Sequence, residues 1–204
     1  TTDAWNHRAN LSLLLGRFDS ALADYNECLK LNSRQAEAYM GRAQAEYFLG
    51  RWAEARRDAH RASQLNPMRR DAGTLVCFIY LAEGNAEAAA QAVQQSIRGD
   101  PFSDIPILCI LGHVAARMAG QDNQPAQFLD TAIRQGSRKW PYPVVRYLRG
   151  KTSEAAVLRQ AKDTDQLTEA HTYIGLSLMM SGRTNDARDH FEWIRKEGSP
   201  AHEE

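Results

Sequence analysis

The feature that most constrains this chain is a self-similarity at a step of 34 residues. Gly16, Gly50 and Gly84 stand 34 apart, and so do Ala21, Ala55 and Ala89. Cys28, Ala62 and Ser96 keep the same step with small side chains, and Ser33, Pro67 and Pro101 keep it with turn formers. A fixed period of this length marks stacked units, each unable to bury its own apolar face alone. The chemistry of each position defines the unit. Glycine after a helix accepts the left-handed conformation that turns the chain back. Small residues seven apart lie two turns along one face of the next helix and let two backbones come close. Proline then stops the second helix. The spacing therefore predicts helix, tight turn, helix, short turn, three times over at about residues 2–33, 36–67 and 70–101.

Beyond Pro101 the register slips. Leu108, Leu111, Gly112 and Ala115 read as the first helix of a fourth unit over 104–136, closed by Gly120, with a second helix over Pro125–Arg134. Pro125 suits a first helical turn, where a missing N–H is not needed. Residues 137–166 are the least regular stretch. Trp140-Pro141-Tyr142-Pro143 favours extended or turning backbone, followed by short helices at Val144–Arg149 and Ser153–Lys162. A last helix pair is predicted at 167–200 from Ile174, Gly175, Gly182, Ala187, Phe191 and Pro200.

This pattern resembles the tetratricopeptide repeat (TPR), whose signature runs W-x2-L-G-x2-Y, A-x3-F, P. The first unit supplies Trp5, Ala21 and Tyr25 but departs at Arg8, Ala9 and Ser12. The second supplies Tyr39, Ala55 and Pro67 and departs at Arg42 and Ala43. The third supplies Tyr80, Ala89 and Pro101, with Gly73 in place of the large aromatic. The resemblance implies an all-α solenoid, a right-handed superhelix of antiparallel helix pairs. Lys139–Gly150, the following helix and the closing stretch HFEWIRKEG are similar to the C-terminal half of bacterial TPR proteins. That group includes a periplasmic lipoprotein that acts as a protease adaptor, which implies a bacterial source and a recruiting role.

An open stack of this kind suits an extended peptide or a partner helix, and it lacks the enclosed pocket that catalysis generally uses. By the family's geometry, positions 2, 5, 9 and 12 of each first helix face the groove. Among them, Asn6, Asn10 and Gln44 are expected to hydrogen-bond a peptide backbone through donor and acceptor. Met40, Tyr47 and Phe78 are expected to grip apolar side chains, with Leu81 beside them in the groove; core packing is the alternative for each of these large apolar residues. Some TPR proteins clamp a terminal carboxylate with lysines and an arginine. Here those sites fall on Asn6, Asp71 and Leu75, so that clamp is not expected.

Twenty-five basic residues offset 25 acidic ones, so no global charge draws the chain to nucleic acid or membrane phosphates. Locally, Arg51, Arg56, Arg57, Arg61, Arg69 and Arg70 face only Glu54 and Asp58. This stretch is an alternative docking face for an acidic partner or RNA, or else a solvated helix face partly neutralised by Glu54 and Asp58. No aromatics interleave with the arginines, which weighs against single-strand stacking.

The six histidines are scattered, without H-E-x-x-H or a nucleophile motif, and no glycine-rich phosphate loop exists. An enzyme, a metal and a cofactor are thus not expected. Cys28, Cys77 and Cys109 have no C-x-x-C pairing and read as small packed residues. No apolar run reaches membrane-spanning length. The chain starts at Thr1 without a leader, as a processed or trimmed product would, leaving both cytoplasm and periplasm open. The expected partner is a protein or peptide. A self-assembling repeat protein is the alternative, since the first helix offers Trp5 and Leu13–Leu15 with no helix before it, while the tail Ala201–Glu204 looks polar.

Overall fold

The structure, a computed structural model, describes residues 1–67, 71–99, 105–121, 124–135 and 137–199. Among the described residues the chain is all helical, without strands. It divides into two compact units, residues 1–100 and 101–204. Pro101, Pro200 and the tail Ala201–Glu204 lie outside the described residues.

Unit 1 holds three helix pairs. They are α1 (Thr2–Leu14) with α2 (Phe18–Leu31), α3 (Ala36–Phe48) with α4 (Trp52–Leu65), and α5 (Asp71–Ala82) with α6 (Ala86–Gly99). The turns follow the 34-residue step. Gly50 takes φ +71°, a conformation that costs a side-chain-bearing residue about 1–2 kcal/mol. The reversal is locked by Gly50 N–H donating to the Tyr47 carbonyl (3.0 Å) and Arg51 N–H to that of Glu46 (2.8 Å). Gly16 and Gly84 make the same turn.

Packing follows from the small residues. Ala21, Cys28, Ala55, Ala62 and Ala89 are wholly buried. The third pair shows why its aromatic is missing: a Cβ at Gly73 would lie 2.8 Å from that of Ser96, so no side chain fits where α5 meets α6. Each later first helix also packs on the second helix before it. Ala38 and Ala45 of α3 close on Tyr25 and Leu29 of α2. Leu75 and Ile79 of α5 close on Ala55, Ala59 and Ala62 of α4. Because α3 touches both α1 and α5, the first helices of unit 1 stand side by side as one layer.

The departures at Arg8 and Arg42 are themselves a repeat. Arg8 Nε donates to Asp24 Oδ2 and Nη2 to Asp24 Oδ1, both at 2.6 Å. Arg42 makes the same two-pronged bond to Asp58. Each guanidinium also covers an aromatic ring one turn back, Arg8 over Trp5 (4.5 Å) and Arg42 over Tyr39 (5.4 Å). The third pair replaces both partners with apolar residues, Val76 and Ala92.

Unit 2 contains α7 (Pro106–Met118), α8 (Gln124–Gln135), α9 (Tyr142–Leu148), α10 (Glu154–Leu158), α11 (Thr164–Met180) and α12 (Thr184–Glu197). Helix α7 touches α8, α9 and α11, which explains why its run of apolar residues is buried almost all round. The helix expected over Ser153–Lys162 is only α10. It starts on Ser153, whose hydroxyl accepts from Ala156 N–H, and tightens after Leu158 as Gln160 N–H turns to the Val157 carbonyl. Asp163 then caps α11 by accepting from Gln166 N–H at 2.8 Å, so α11 begins a turn earlier than expected. A Cβ on Gly175 would sit 2.9 Å from the Phe191 ring, which brings α11 and α12 into close contact.

Candidate functional site

The layer formed by α1, α3 and α5 sorts the expected groove residues into two groups. Gln44, Tyr47 and Leu81 are half-buried, Asn10 is exposed, and Phe78 is 39% exposed. These five stand on successive first helices, as the register predicts.

Two expected residues are corrected by their burial. Met40 is only 2% exposed and fills the core between α3, α4 and α5, beside Ala55, Ala59, Ala72 and Val76. Its side chain belongs to that core and not to the exposed surface of the layer. Asn6 is 8% exposed, and its Oδ1 is enclosed without a hydrogen-bond partner among the described residues. Position 5 of these helices thus turns inward. Asn10 keeps only half its expected bonding capacity, because Tyr25 Oη donates to its Oδ1 at 2.5 Å. Its amide N–H groups remain for a partner. Trp5 is likewise no free edge, being half-buried beneath Arg8 and packed on the α1–α3 cluster.

Sequence reasoning missed Phe48, which is exposed at the turn end of α3. Its ring stacks on Phe18 at 4.7 Å and meets Tyr47 edge-on at 5.4 Å. The cue was available: Phe48 stands 34 residues after Leu14, which is also exposed.

The arginine face is largely engaged within the chain. Arg56 donates to Glu83 at 2.6 Å and covers Tyr80, Arg51 pairs with Asp19 at 3.6 Å, and Arg57 with Glu54 at 3.5 Å. Arg61 bonds the Gln64 side-chain oxygen. Asp58, expected to neutralise this face, is instead buried against Arg42. Arg69 and Arg70 lie outside the described residues.

One acid in unit 1 is out of the ordinary. Glu46, on α3 next to Tyr47, is buried, and its Oε2 has no hydrogen-bond partner among the described residues. Loss of hydration pushes its pKa up to about 7, with Asp58 adding to the effect and Arg42 opposing it.

In unit 2, helix packing joins two histidines that are far apart in sequence. His171 Nδ1 and His190 Nδ1 lie 3.0 Å apart, and His190 Nε2 is 3.3 Å from Glu154. His171 stacks on Trp193 at 4.0 Å, and burial followed by the neighbouring His190 lowers its pKa to about 4. Glu169 of α11 accepts from Trp140 Nε1 at 2.5 Å.

The three cysteines are buried free thiols, and burial pushes Cys77 and Cys109 up to about 12, far from a reactive thiolate. Among the described residues no group of three or more His, Cys, Asp or Glu could hold a metal ion. No helix among them is long and apolar enough to cross a membrane.

Comparison with known proteins agrees with this geometry. Residues 2–35 match the tetratricopeptide repeat family model. The TPR repeat-containing thioredoxin TDX of Arabidopsis thaliana is 39% identical over 59 residues, which cover 29% of this chain and 16% of that relative's length. A TPR protein from Parabacteroides merdae superposes with a TM-score of 0.64 at 17% identity, covering 98% of this chain and 79% of that one. TTC0263, a TPR protein of Thermus thermophilus, gives 0.57 at 18% identity over 94% and 97% of the two chains. YrrB, described as a TPR protein with an unusual peptide-binding site, gives 0.50 at 17% identity over 92% and 81%. The chain thus carries a tetratricopeptide repeat at residues 2–35 and has the all-helical TPR solenoid fold.

Proposed function

We propose that this chain is a protein-interaction adaptor that holds an extended peptide or a partner helix against the first-helix layer of unit 1. One observation carries the reading. Asn10, Gln44, Tyr47, Phe78 and Leu81 are surface-reaching amide and apolar side chains, contributed by three successive helices in one repeating register. Rings and amides in that mixture suit a peptide: the rings take apolar side chains, and the amides meet its main chain. A TPR relative by fold is described as binding peptide, which supports the same use here. The resemblance of the last third to protease-adaptor lipoproteins makes recruitment the form this binding takes, in a bacterial setting. The alternative, an acidic protein or RNA on the arginine face, is weaker because Arg51, Arg56 and Arg57 already have carboxylate partners.

The test is a peptide selected by display against the chain, then titrated by fluorescence anisotropy against Tyr47→Ala/Phe78→Ala. Loss of two central rings should weaken binding by about 30-fold or more, with helicity by circular dichroism unchanged. Undiminished affinity would move the site off this layer.

A further inference from the structure

We propose that copies of this chain associate head to tail, the uncovered face of α1 in one copy seating in the groove between α11 and α12 of the next. The seams inside unit 1 share one pattern. At each seam a first helix presents two buried residues seven apart to the second helix before it, Ala38 and Ala45 on α3, Ala72 and Ile79 on α5. The same register on α1 falls on Ala4 and Leu11. Both are exposed, Leu11 at 61%. Helix α1 thus carries the donor half of a seam.

The acceptor half stands on unit 2. Ala187, Phe191 and Ile194 of α12 follow Gly182 at the same distances at which Ala21, Tyr25 and Cys28 follow Gly16. In α2, Tyr25, Asn26 and Leu29 receive α3. Their counterparts on α12 are Phe191, Glu192 and Arg195, and with Met179 they line an open groove of about 340 Å³. Phe191 lies over Gly175 of its own pair, whereas Tyr25 reaches across its seam to Gly41. That leaves room at the seam for His7, which takes the register of Gly41.

One charged contact fits this register, at Glu192, which stands in the groove beside Arg188 and Arg195. Arg42 bonds Asp58 with Nε and Nη2, and crosses the seam to Asn26 with Nη1 at 2.7 Å. Arg8 bonds Asp24 with the same two nitrogens, and its side chain stays 62% exposed. At the counterpart of Asn26 the groove offers Glu192, an exposed carboxylate that meets Lys196 of its own helix one turn on, at 3.4 Å. The intermolecular seam would therefore replace Arg–Asn with Arg–Glu, a stronger, charge-assisted contact. Donor and acceptor are different surfaces, so the contact is heterologous and each added copy offers a fresh end.

Sedimentation velocity of the 204-residue chain from about 1 µM to about 1 mM tests this, a range that reveals even millimolar affinity. The average mass of the unaltered chain should climb with concentration. Leu11→Glu blocks the donor face, and Met179→Glu/Glu192→Arg blocks the acceptor. All three positions are exposed, so folding should persist by circular dichroism. Each variant alone should hold one mass, and their equimolar mixture should form a two-copy species that grows no further. A constant mass for the unaltered chain would overturn the proposal, leaving the face to another partner or to a segment outside these residues. Association surviving in both variants, or a mixture that fails to pair, would overturn it as well.

Discussion

Replacing Glu46 by glutamine should make the protein's stability respond less steeply to pH, in a direction set by the buried carboxyl. In the unfolded chain Glu46 titrates near 4.5, and in the folded chain near 7. Below the lower value both states hold the proton, and the group contributes nothing. Between the two values the folded state binds the proton more tightly, so stability falls as pH rises. Above about 7 both states are ionised and the folded state bears the full cost of a carboxylate enclosed without a partner for Oε2. Each pH unit of separation is worth about 1.4 kcal/mol, so the whole window amounts to about 3 kcal/mol. Glutamine does not titrate. The stability of Glu46→Gln relative to the unaltered protein should therefore rise by about that amount between about pH 4.5 and about pH 8, measured by urea denaturation. Other titrating carboxylates are common to both proteins and cancel in the difference. A stability difference that stays flat across this range would refute the reasoning, since it would mean that Glu46 ionises as freely in the fold as out of it.

Three further perturbations test the packing. Asp58→Ala strands the Arg42 guanidinium and should cost about 1–3 kcal/mol by urea midpoint. Adding Arg42→Val reproduces the Val76/Ala92 arrangement of the third pair and should recover most of that loss; a double variant no more stable than the single would contradict this. Ala55→Leu overfills the core beside Ala59 and Val76 and should lower stability by about 1–3 kcal/mol, and an unshifted midpoint would deny the tight α4 packing. By NMR the His171 imidazole should remain neutral down to a midpoint of about 4, and a midpoint near the usual 6.5 would mean that the ring is neither buried nor set against His190 as described.

The turns and the close helix contacts were legible because backbone geometry admits few residues there. Gly50 and Ala55 are readable from sequence for that reason. Side-chain direction was less legible. Residues at one position of a first helix read as groove, yet Met40 is buried among Ala55, Ala59, Ala72 and Val76 of the neighbouring helices. The Arg8–Asp24 and Arg42–Asp58 bonds stood in plain view at the 34-residue step. Arg8 and Arg42 read as departures because the signature has an apolar residue at that point. His171 and His190 are different, since their meeting depends on how α11 crosses α12, which no local spacing encodes. The early start of α11 is encoded by Asp163, which caps Gln166 N–H, a local signal that the repeat register does not carry.

The central claim is that the first-helix layer of unit 1 takes up a partner. The most direct measurement is an NMR map of amide and side-chain shifts as a display-selected peptide is added to the chain. The account predicts that perturbations gather on Asn10, Gln44, Tyr47, Phe78 and Leu81. Perturbations confined to Arg51, Arg57 and Arg61, or to unit 2, would contradict it.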